Sequence, residues 1–95
     1  MAIQSFQDAR AQAIFEGRSP GKGFPADLIR SAKRKLEMLN AAVELNELRF
    51  PPGNRLELLS GDRRGQHSIR VNDQFRLVFF WTTAGPTEVA FVDYH

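Results

Sequence analysis

Ninety-five residues, 42% of them hydrophobic and including eight Phe and one Trp, suffice for one domain with its own core, so residues 1–95 read as a single unit. There is no Cys, which removes disulfides and thiolate metal sites and points to a reducing cytoplasm. No apolar run approaches the ~20 residues of a membrane span, and Met1 to Asp8 lacks the basic and apolar regions of a signal peptide.

The net charge is only +2, but the pI is about 9.5 and the cations are clustered. Arg30, Lys33, Arg34 and Lys35 share one segment, and Arg49, Arg55, Arg63, Arg64, Arg70 and Arg76 punctuate the next. Arg prevails there, and its planar fork suits phosphate better than Lys does. A solvated basic face explains any single one of these residues. The bias as a whole favours a polyanionic partner, either nucleic acid or an acidic protein surface.

In chain order, Ala2 to Phe6 is a short strand candidate. Asp8 is placed to cap a helix from Ala9 to Gly17 that turns Ala9, Ala13 and Phe15 inward. Arg18 to Gly23, with Lys22 in it, is a loop. Pro25 opens a helix that runs to about Ala42, with Leu28, Ala32, Leu36, Leu39 and Val43 on one stripe and Arg30, Lys33, Arg34 and Glu37 on the other side. Glu44 to Leu48 reads as a short helical turn, and Phe50-Pro-Pro-Gly53 breaks the chain.

The period then changes. A strand carrying Leu56, Leu58 and Leu59 begins near Asn54, and Gly61 to Gly65 is a loop. Gln66 to Val71 alternates, Asn72-Asp-Gln74 is a turn, and Phe75 to Thr82 is a central strand apolar on both faces except at Arg76. A turn at Ala84-Gly-Pro86 leads to a last strand, Thr87 to Val92. Helices followed by an antiparallel meander make an α+β fold, with the helices on one face of a twisted sheet.

Candidate chemistry gathers in the last third. Arg70 and Arg76 flank a tight turn at similar distances, so they reach one face as neighbours. Two like charges side by side need a negative group between them. A phosphodiester serves; so does an internal carboxylate from Asp73, Glu88 or Asp93. Asp93-Tyr94-His95 continues an apolar strand, and a His titrating near neutral pH suits general acid or base work. This set fits RNA cleavage by attack of the 2′-hydroxyl on the adjacent phosphorus, which needs no metal, and no metal-ligand spacing is present. His67 alternates with Ile69 and Val71 and reads as packing or surface.

The run Asn54-Arg-Leu-Glu-Leu-Leu-Ser-Gly-Asp-Arg-Arg-Gly-Gln-His-Ser-Ile-Arg-Val-Asn-Asp-Gln-Phe-Arg76, with the terminal Val92-Asp-Tyr-His95, resembles the HigB family of the RelE superfamily. The likeness extends over essentially the whole chain. It implies a RelE-like fold and a ribosome-dependent endoribonuclease that cuts messenger RNA. It also implies a helix-turn-helix antitoxin of the HigA type, operator DNA bound only through that antitoxin, and no cofactor. On this resemblance the functional residues fall on Asp93, Tyr94 and His95 and on Arg70 and Arg76. Glu57 stands where some relatives carry a histidine, either as a substitute base or as a structural partner of Arg55 or Arg70. Phe75 replaces a frequent Trp. Lys22, Arg30, Lys33, Arg34, Arg63 and Arg64 are then the expected RNA-backbone contacts. Two alternatives use the same scaffold: a ParE-like inhibitor of DNA gyrase with no nuclease activity, and an inactive antitoxin-binding co-regulator.

Overall fold

The computed structural model describes residues 2–93. Helix α1 spans Ala9–Phe15. Asp8, in extended conformation, caps it by accepting the Arg10 N–H at 2.9 Å. Its other oxygen accepts the Phe91 N–H at 3.0 Å, which fastens the start of the helix to the sheet. Burial pushes the Asp8 carboxyl up, but its bonds to Arg10 and Phe91 outweigh that and hold it below its ordinary value. A helix this short is marginal in isolation; it persists because Ala11, Ala13 and Ile14 are buried. The expected inward face is therefore shifted: Ala9 is exposed and Phe15 is only half-buried, its ring tilted against Phe6 at 5.8 Å.

Helix α2, Ala26–Ala41, buries Leu28, Ala32, Leu36 and Leu39 as the spacing predicts. Val43 does not continue that stripe and is 62% exposed. The reason is local. The Glu47 carboxylate accepts the N–H groups of Val43 and Glu44 at 2.8 and 2.6 Å, a capping box that starts a separate 3-10 turn, Leu45–Arg49.

Four antiparallel strands follow as a simple meander: β1 Glu57–Leu58, β2 His67–Arg70, β3 Phe75–Thr82 and β4 Gly85–Asp93. Strand β1 is shorter than expected because a 3-10 turn, Pro52–Asn54, and a left-handed Arg55 precede it; Leu58 is 68% exposed instead of packed. Strand β4 starts earlier than expected, with Pro86 opposite Trp81. The segment Ala2 to Phe6 forms a single parallel bridge, Phe6 to Val89, and is tied to β4 by backbone bonds from Gln4 to Pro86 and from Val89 to Ser5.

Alternation then divides the sheet. Ile69, Val71, Leu77, Phe79, Val89 and Phe91 join Ile14, Leu28, Leu36, Leu39 and Leu48 in the main core. The opposite face carries a small cluster of Leu59, Val78 and Ala90. Arg70 and Arg76 lie on that same face by the register of the ladder. No described helix is long and apolar enough to cross a membrane.

Candidate active site

The site is built on the turn between β2 and β3. Asn72 Oδ1 accepts the N–H groups of Gln74 and Phe75 at 2.9 and 2.7 Å, and the Val71 N–H donates to the Phe75 carbonyl at 3.0 Å. This side-chain-stabilised turn fixes the register, and the register sets Arg70 directly opposite Arg76.

Their surroundings differ. The Arg76 side chain is only 8% exposed. Its Nη1 donates to Glu57 Oε1 at 3.1 Å and its Nη2 to the Arg55 carbonyl at 2.5 Å. Arg70 is 36% exposed and pairs with Asp73, which lies almost wholly in solvent. An open cleft of about 440 Å³ lies over both, lined by Gly53, Arg55, Arg70, Asn72, Asp73 and Arg76. Three arginines line it, and Asp73 is the only carboxylate among the described lining residues. Such a concentration of like charge raises the local potential for an incoming anion.

Lys35 adds to that potential from behind. Its Nζ donates to Asn54 Oδ1 at 2.5 Å. Burial, then the nearby charges of Arg34 and Arg70, push its pKa down. Among the described residues no three of His, Asp and Glu form a metal-ligand group.

The expected site residues distribute as follows. Glu57, on β1, is half-exposed and its partner is Arg76, not the Arg55 or Arg70 that the sequence suggests; the register of β1 against β2 turns its side chain to the arginine face. Of the internal carboxylates weighed for the arginines, Asp73 holds Arg70. Glu88 lies toward the other end of β4, with its N–H bonded to Ser5 Oγ. Asp93 ends β4 opposite Phe75, one rung from Arg76, and accepts from Gln74 Nε2 at 3.1 Å. Tyr94 and His95 lie outside the described residues.

The outlying cations are spread over the surface. Lys22, Arg34 and Arg64 are exposed, Arg30 pairs with Asp27, Lys33 donates to the Phe15 carbonyl at 3.4 Å, and Arg63 donates to Gln66 Oε1 at 3.2 Å. His67 is stacked on Phe79 at 6.3 Å, on the helix side of the sheet and away from the cleft. Burial, then the Arg49 charge, lowers its pKa.

Four residues of this region escape sequence reading: Arg55 and Asn72, which line the cleft, and Lys35 and Asn54, which lie behind it. Lys35 did leave a signal. It falls on the α2 stripe, seven residues after Leu28 and four before Leu39, where a cation needs an internal reason. Arg55 left none, because its left-handed backbone is not encoded by a Gly or Asn.

Comparison with known proteins bears on the family of the chain. The family described as RelE-like toxin of type II toxin–antitoxin system HigB matches residues 4–95. The Toxin HigB-1 of Vibrio cholerae is 42% identical over 81 residues, covering 85% of this chain and 84% of its own length. An uncharacterized protein of Haemophilus influenzae is 36% identical over 80% of this chain and 75% of its own. A protein of Proteus vulgaris named Endoribonuclease HigB is 29% identical over 98% of this chain and 99% of its own.

Proposed function

The chain belongs to the HigB-like toxins of type II toxin–antitoxin systems, and from that premise we propose that it is an endoribonuclease that cuts messenger RNA on the ribosome. The observation that carries this reading is the pairing of Arg70 with Arg76 on one rung, under an open cleft, with Glu57 against Arg76. A scissile phosphate seated there meets two guanidinium groups. Their charge stabilises the phosphorane as negative charge grows on its oxygens.

The reaction needs no group from outside the RNA as nucleophile. The 2′-hydroxyl oxygen bonds to phosphorus and loses its proton to a base, for which Glu57 is the candidate within reach of the arginines. The bond from phosphorus to the 5′-oxygen breaks, and that oxygen takes a proton from an acid. His95 is assigned that role, with Asp93 and Tyr94 orienting it or the substrate. The products are a 2′,3′-cyclic phosphate and a free 5′-hydroxyl. Lys22, Arg30, Lys33, Arg34, Arg63 and Arg64 contribute sequence-independent attraction to RNA, which weakens with salt. The antitoxin that the family implies is assigned to the helix-turn-helix HigA type, with operator DNA reached through it. A ribosomal target places the toxin in the cytoplasm.

The test is incubation of wild type, Arg76→Ala and His95→Ala with programmed ribosomes, followed by mapping of message ends. Wild type is expected to cut at the decoding site, and each variant to cut at least ~10²-fold more slowly. An intact message from a folded, toxic wild type would overturn the reading and turn attention to gyrase.

A further inference from the structure

Arg76 enters the cleft from the start of β3 on a long side chain, and the acceptors of its guanidinium include Glu57 and the backbone carbonyl of Arg55. The second depends on an unfavourable backbone. Arg55 has φ 47 and ψ 56, a left-handed conformation that non-glycine residues other than Asn and Asp disfavour. Something must hold it there, and the residue before it is built to do so.

Asn54 is fully buried. Its Nδ2 donates to the carbonyls of Leu48 and Phe50, each at 3.2 Å, and touches Met38 Sδ at 3.1 Å. Its Oδ1 accepts from Lys35 Nζ on α2. A buried amide satisfied on both ends cannot turn without stranding a polar group. The chain leaving Asn54 therefore has one direction.

We propose that Asn54 is a positioning residue of the cleft: anchored to α2 through Lys35, it holds Arg55 left-handed so that the Arg55 carbonyl aims Arg76 at the substrate phosphate. The proposal rests on the reading of Arg76 as a phosphate contact. Lys35 thereby joins the two arginines, since it braces the loop that directs Arg76 and lies near enough to Arg70 to feel its charge.

The test compares two neutral replacements of one exposed residue. Arg55→Asn and Arg55→Val both remove the same positive charge from a residue lining the cleft, but Asn accepts the left-handed region and β-branched Val resists it. Because the charge lost is equal, KM for the message should match in the two variants. The kcat of Arg55→Val should fall on the order of 10- to 100-fold below that of Arg55→Asn, as expected for a misplaced transition-state contact. The Arg76 side-chain N–H signals in the NMR spectrum should move in the Val variant alone. Equal kcat and unmoved signals would overturn the proposal. If circular dichroism shows Arg55→Val unfolded, Lys35→Met replaces it. Shifted Arg76 signals then support the relay, and wild-type signals overturn it. Full cleavage by Arg76→Ala would remove the phosphate contact itself, a separate failure that leaves the response of the Arg76 signals to Arg55→Val intact.

Discussion

On strand β3, Leu77 and Phe79 turn toward the helices while Arg76 and Val78 turn away, so one strand serves two chemically different surfaces. The covered face is apolar and closely filled, and its contacts determine whether the protein folds. The other face carries the cations, and its contacts determine what the folded protein binds. The separation is testable because substitutions on the two faces should register in different measurements. The largest effect belongs to the covered face. Phe79 is fully buried, and Phe79→Ala should cost about 3–5 kcal/mol in chemical denaturation. The cleavage rate of the molecules that remain folded should change little. A variant of near wild-type stability that no longer cleaves would show that the two faces are not independent.

The next effect lies on the arginine face and concerns Glu57. A carboxylate beside a nearly buried arginine is explained either as a counterion or as a base, and the amide isostere separates the two. Glu57→Gln keeps an acceptor for Arg76 Nη1 but cannot take a proton. As a base, Glu57 is worth on the order of 10²-fold or more in cleavage; as a counterion, it gives a loss of only a few fold. Single-turnover rates of the purified variant on programmed ribosomes decide it. Denaturation should show little change either way, because Glu57 is about half exposed, at 48%.

The same division explains what could be read from the sequence. The α+β layout, the α2 stripe and the order of the sheet strands were legible, because periodicity and turn residues encode them directly. The rung shared by Arg70 and Arg76 followed from the short Asn72-Asp-Gln74 turn, whose length sets the register. The partner of Glu57 did not, because choosing among Arg55, Arg70 and Arg76 needs the register of β1, which a long connection leaves open in the sequence. The end of α2 was legible to within a residue, but Val43 was wrongly counted on its stripe, because Glu47 captures the N–H groups of Val43 and Glu44 and turns the chain away. Asn54 and Arg55 were invisible as site residues because their role lies in a backbone angle and a carbonyl, and neither has a residue-type signature.

The smallest effect tests the division from a titrating group on the covered face. His67 stacks on Phe79, and burial, with the Arg49 charge, lowers its pKa below the ordinary 6.5. Near and just below that value the unfolded chain binds more protons than the native one, so stability rises with pH. His67 therefore contributes stability that is fully present above pH 6.5 and is lost as the pH falls through 6.5 toward its lower folded value. The slope should stay well under the ~1.4 kcal/mol per pH unit of a fully buried group, because His67 is only half-buried. His67→Gln should flatten the stability curve between about pH 7 and 5. If the two faces are independent, the same variant leaves the pH profile of cleavage where it was. A shifted rate profile at unchanged stability would instead connect His67 to the cleft through the sheet.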